Sequence, residues 1–156
     1  MKKIATYAAA AALVALGTAP AFAHHSGAMF GGPVVTFRNV QVVEFQYVNP
    51  HSWLIVDVTN EDGTTTRWGF EAEGPSTLLR SGVRRSDFEP GDIIPVICGR
   101  SMTDGRPAAA WRGPGDTPKG VSAEEAAALT EVPANGCDVA ATNETGAPPV
   151  APAPAG

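Results

Sequence analysis

The chain has 156 residues, a formal net charge of −5, 44% hydrophobic and 17% charged residues. That length suits one domain, and 17 glycines with 14 prolines commit much of it to turns and aperiodic segments. Such a composition excludes a basic nucleic-acid binder, a coiled coil and a multi-span membrane protein.

Residues 1–23 read as a secretory signal peptide. Lys2 and Lys3 supply the positive start, Ala8 to Leu16 the apolar stretch, and Ala21-Phe22-Ala23 a small-x-small cleavage site. The apolar stretch is shorter than the ~20 residues that span a bilayer, which weighs against a stable membrane insertion. Cleavage removes two of the 11 basic residues and none of the 16 acidic ones, so the remaining 133 residues carry a net charge of −7. A short, alanine-rich leader of this kind points to the bacterial periplasm or to secretion.

Past an N-terminal arm at 24–33, short strands and turn signals alternate. Val34 to Tyr47 is a long β-prone run whose apolar phase changes, from Val40 and Val42 to Val43, Phe45 and Tyr47. Such a change inside one strand is the mark of a β-bulge. Trp53 to Thr59 and Thr64 to Ala72 form the next two strands, joined by a hairpin turn at Asp62-Gly63. Gly74 to Gly82 reads as a short helix, with Pro75 at its start and Gly82 past its end.

Glu89-Pro90-Gly91-Asp92 turns into a fourth strand, Ile93 to Cys98, where Pro95 implies an edge position or an interruption. Asp104-Gly105 leads to a last strand at about Pro107 to Arg112, and Ser122 to Glu125 caps a short helix reaching about Thr130. The order β-β-β-α-β-β predicts a mainly β fold, a small five-stranded OB-like Greek-key barrel with one short helix. A generic β-sandwich is the alternative. The expected layout is thus a signal peptide at 1–23, an arm at 24–33, a barrel at 34–112, a C-terminal arm with a helix at 113–139, and a disordered Ala/Pro tail at 140–156.

Cys98 and Cys137 are the only two cysteines. In an oxidising compartment a disulfide is their expected state. Closing that loop is worth roughly 3–4 kcal/mol in the chain-entropy model. A thiolate metal site is the other reading, although it offers only two sulfurs and no Cys-x-x-Cys spacing.

The chemistry rests on three histidines, His24, His25 and His51. Cleavage after Ala23 makes His24 the first residue, and its α-amino group and Nδ1 then chelate one metal ion. A further imidazole from His51 or His25 completes a three-nitrogen brace that suits copper. Cleavage after Ala21 instead puts His24 third, where amine, amide nitrogens and imidazole form a square-planar site for Cu(II) or Ni(II). Against this stands a plainer reading, in which His24-His25 is a solvated stretch and His51 completes a turn after Asn49-Pro50.

Glu71 falls on the strand face opposite Trp68 and Phe70, where it can hold an imidazole in place or simply be surface. Met29 and Met102 are soft donors in principle but more often fill gaps in a core. Trp53 and Trp68 are expected to pack in the barrel. No nucleophile motif stands out, and a net charge of −7 argues against a phosphate-backbone partner.

His24-His25-Ser26 with Phe30, Asn49-Pro50-His51-Ser52-Trp53, Asp62-Gly63, Trp68-x-x-Glu71 and Pro90-Gly91-Asp92 occur in that order. In this the chain resembles the uncharacterised bacterial periplasmic proteins grouped as domain-of-unknown-function family 6152, over roughly residues 24–112. Gly31-Gly32 departs from the acidic residue that often follows the first aromatic there. The resemblance implies that the histidine motifs belong together, and it brings no reaction with it. The expected function is a periplasmic transition-metal protein, copper first, with ligands His24, His25 and His51 and Glu71 in support. A non-catalytic module binding another periplasmic protein is the alternative, and an oxidative copper enzyme a third.

Overall fold

A computed structural model describes residues 29–129 together with Cys137. The expected signal peptide, His24, His25 and the Ala/Pro tail lie outside the described residues. Five strands, β1 (Val34–Gln46), β2 (His51–Thr59), β3 (Thr65–Glu73), β4 (Ile93–Ser101) and β5 (Ala108–Trp111), close into a barrel in the order β1-β2-β3-β5-β4. Helix α1 (Pro75–Arg80) connects β3 to β4, and helix α2 (Ala123–Ala128) follows the barrel. All pairings are antiparallel except β3 with β5, which is parallel. That order, closed through one parallel seam, is the expected OB-like Greek-key topology.

Strand periodicity builds the core. Along β2 the even residues Ser52, Leu54, Val56 and Val58 are buried, and β3 contributes Trp68, Phe70 and Ala72 from its facing register. β1 must serve two neighbours, so its phase has to change. The bulge falls between Val42 and Glu44. Val42 and Phe45 both point inward, while Val43, expected inward, is the extra residue and only half-buried. A second change of phase lies at Asn39, with φ 50°, between buried Phe37 and buried Val40. Asparagine enters that left-handed region more readily than most residues.

The expected strand ends shift slightly. β2 begins at His51 rather than Trp53, and β4 runs on to Ser101 rather than stopping at Cys98. Pro95 lies within a closed barrel, but where β4 is paired on one side only. β1 pairs with β4 from Val34 to Gln41, whereas β5 reaches only Gly99 to Ser101. Proline costs no ladder bond on the unpaired side.

The interior holds two aromatic groups. Phe37 packs on Trp68 with ring centroids 4.8 Å apart, and Phe45, Phe88 and Trp111 meet edge to face at 5.4 to 6.2 Å. Tyr47 pins α1 to this end of the barrel, its hydroxyl standing 2.9 Å from Pro75 O and 3.0 Å from Val83 O. The C-terminal arm covers the open stretch of β4. Val121 bridges Ile93, Lys119 Nζ donates to Asp87 Oδ1 at 2.9 Å, and Cys137 forms the expected disulfide with buried Cys98. Ser122 caps α2 reciprocally with Glu125, as its Ser-x-x-Glu spacing predicts.

Candidate functional site

Alternation that buries one face of β2 and β3 presents the other to solvent. His51, Trp53, Ile55 and Asp57 stand there beside Glu73, Glu71, Gly69 and Arg67, their register partners. His51 is the first residue of β2, directly after a cis Asn49-Pro50 bond. It therefore belongs to the ladder, opposite Glu73, directly after the bend at 49–50.

His51 Nδ1 reaches diagonally to Glu71 Oε1 at 3.0 Å. An ionised carboxylate only accepts hydrogen bonds, so a proton shared across this contact belongs to Nδ1, and in the neutral ring of that tautomer Nε2 carries the lone pair. The His51 side chain is 42% exposed and that of Glu71 12%. The carboxylate is thus the sheltered, fixed member, and the imidazole the member open to solvent.

Trp53 corrects an expectation. Of Trp53 and Trp68, both expected inside, Trp68 packs in the barrel at 2% exposure, whereas Trp53 is half-buried on the outer face. Its ring lies over Gly69, where a Cβ would stand 3.1 Å from Cε3 and 3.2 Å from Cζ3. Farther along, Arg67 donates to both carboxylate oxygens of Asp57 at 2.9 and 3.1 Å. The Arg67 hydrogen bonds hold the Asp57 carboxyl below its ordinary range. Sequence spacing could have suggested that pair, since both residues sit on outward positions flanking the Asp62-Gly63 hairpin.

The other expected donors do not converge here. Met102 is buried and Met29 is exposed on the arm, its carbonyl accepting from Thr103 N–H at 2.9 Å. Cys98 and Cys137 are consumed by the disulfide. Among the described residues no three His, Cys, Asp or Glu side chains gather as a metal site, and no helix is long and apolar enough to cross a membrane.

Fold and site define a small closed OB-like barrel that carries a histidine–carboxylate pair on its outer β2–β3 face. The chain belongs to the family of unknown function DUF6152, whose profile matches residues 11–108. No curated protein and no solved structure matches it.

Proposed function

We propose that the protein is exported to the periplasm and binds a transition-metal ion, copper first, with His51 as one ligand and His24 and His25 as the others. The observation that carries this reading is the His51–Glu71 pair. Metal-ligating histidines commonly give their second ring N–H to a carboxylate, which fixes the ring and raises its basicity. Here a carboxylate stands 3.0 Å from Nδ1 of a half-exposed imidazole, and in the neutral ring protonated at Nδ1 the metal donor is Nε2.

The arm runs beside β4, with Gly32 N–H donating to Ser101 O at 3.0 Å and Thr103 N–H to Met29 O at 2.9 Å, and His24 stands five positions before Met29. The disulfide fits an oxidising compartment.

The test is metal analysis of tag-free protein exported on its own leader, with sequencing of the processed N-terminus. About one copper per chain is expected, with His24 first or third. Protein that arrives without metal and fails to take up micromolar copper would end this reading. It would favour the alternative, a non-catalytic module that binds another periplasmic protein. Copper bound without oxygen- or peroxide-dependent turnover identifies a carrier rather than an oxidative enzyme.

A further inference from the structure

Two side chains of β2 lean the same way across the ladder to β3. His51 stands opposite Glu73 yet reaches Glu71 at 3.0 Å, and Trp53 stands opposite Glu71 yet lies over Gly69. Each passes by its register partner for the residue two positions nearer the Asp62-Gly63 hairpin. Backbone separations of ~7–8 Å along such diagonals are within reach of long side chains. The two diagonals are coupled, because Glu71 is the register partner of one side chain and the target of the other. A Trp53 ring standing over its own partner would occupy the place that His51 takes.

Gly69 is what lets the ring move aside. It pairs with Ile55 of β2 and Ala108 of β5, and its N–H donates to Pro107 O at 3.1 Å. Glycine weakens a strand at such a central position and often marks a close approach. Its φ lies outside the left-handed region, so the backbone itself gives no reason for it. The reason lies above it. A Cβ there would stand 3.1 and 3.2 Å from Trp53 Cε3 and Cζ3 and 3.6 Å from Ile55 Cδ1, and apolar carbons prefer ~3.5–4.0 Å. With the ring in that place, Glu71 has Trp53 on one side and Ala110 of β5 on the other, and its side chain is 12% exposed. Glu73, one outward position farther on, is exposed.

We propose that Gly69 is a positioning residue of the His51–Glu71 pair: by receiving the Trp53 ring it keeps the space beside Glu71 clear for the imidazole, and so sets which ring nitrogen faces the carboxylate. A side chain at position 69 displaces the ring. Ile55 closes the hairpin side, so the ring moves back toward Glu71 and the place of His51. The pair then parts, and the hydrogen bond that fixes the imidazole tautomer is lost. The inference deepens the copper reading and rests on it only for the metal, since the pair itself belongs to the metal-free protein.

The experiment reads the His51 ring by ¹⁵N–¹H multiple-bond NMR in the full exported, disulfide-bonded protein. The sample is held in excess chelator at pH 8, and the ring signals are assigned by their loss in His51→Ala. Nδ1–H is expected to be the major tautomer of the parent and to lose that rank in Gly69→Val. Gly69→Ala should shift the ring the same way by less, and it carries the test should Gly69→Val not fold. Adding Trp53→Ala to Gly69→Val removes the displaced ring and is expected to restore Nδ1–H, which a merely weakened fold would not do. A parent ring without a preference for Nδ1–H, an unchanged ring in both Gly69 variants, or no recovery in the double variant would each overturn the proposal. Copper affinity, measured by chelator competition, is expected to fall about 10–100-fold in Gly69→Val. A shifted tautomer with unchanged affinity upholds the positioning and removes His51 from the copper site.

Discussion

His51 Nδ1 stands 3.0 Å from Glu71 Oε1, although register sets His51 opposite Glu73 and Glu71 opposite Trp53. The contact is therefore a diagonal one across the β2–β3 ladder. Diagonal neighbours lie ~7–8 Å apart at the backbone, within reach of two long side chains. Glu73, the nearer residue by register, is exposed at the end of its strand, whereas Glu71 is sheltered beside β5. The imidazole thus leans toward the residue held more firmly by the sheet.

If that contact prepares His51 as a ligand, loss of the carboxylate weakens copper binding without abolishing it. Glu71→Gln is expected to lower copper affinity by about 10–100-fold, the usual effect of such supporting groups. His51→Ala should lower it at least as much. Competition titration of the exported protein against a copper chelator measures both. Affinity untouched in either variant would mean that the terminal histidines bind the metal alone.

The β4–β5 seam tolerates no side chain at Gly99. A Cβ there would stand 2.5 Å from Ala110 O and 2.9 Å from Ala109 Cβ. Gly99→Ala must therefore push two strands apart, at a cost of about 1–3 kcal/mol. Urea denaturation should show a lower midpoint with an unchanged slope. An unchanged midpoint would show the seam to be looser than the geometry states.

Asp87 ties the C-terminal arm to the barrel, and its contribution depends on pH. Burial opposes its charge, but the Arg84 N–H at 2.8 Å and Lys119 Nζ at 2.9 Å outweigh that and hold its carboxyl below the ordinary value. A lowered folded-state value stabilises above the unfolded value of ~3.9, and the gain is lost as pH falls through the folded value. Asp87→Asn should cost about 1–2 kcal/mol at neutral pH. Denaturation at pH 7 and pH 3 should show that gap closing in acid; a gap constant with pH would rule out the carboxylate charge as its source.

The disulfide acts at the same arm. Cys137→Ser is expected to lose about 2–4 kcal/mol of stability. Reductant should bring the parent protein down to the level of the variant and leave the variant unaffected. Thermal melts with and without reductant decide this, and a parent protein indifferent to full reduction would contradict it.

Much of this architecture is written locally. The Asp62-Gly63 hairpin, the Pro75 start of α1, the Ser122–Glu125 cap and the bulge in β1 each depend on residues a few positions apart. Glu71 falls on the face away from Trp68 and Phe70 because strand side chains alternate. The second phase change at Asn39 escaped the same reasoning, since a single left-handed residue leaves little trace in an apolar pattern.

The histidines, carboxylates and paired cysteines are determined by the sequence alone, and so are the faces on which strand periodicity sets them. Which faces meet is decided only by closure of the barrel. The parallel β3–β5 seam joins residues far apart in the chain, and no local pattern names a strand's neighbour. Closure puts Trp53 over Gly69 outside the barrel, although its bulk suggests the core. It also sets Glu71 beside β5, where it is the carboxylate that His51 reaches. Alternation is a property of one strand; pairing, twist and diagonal reach belong to the sheet.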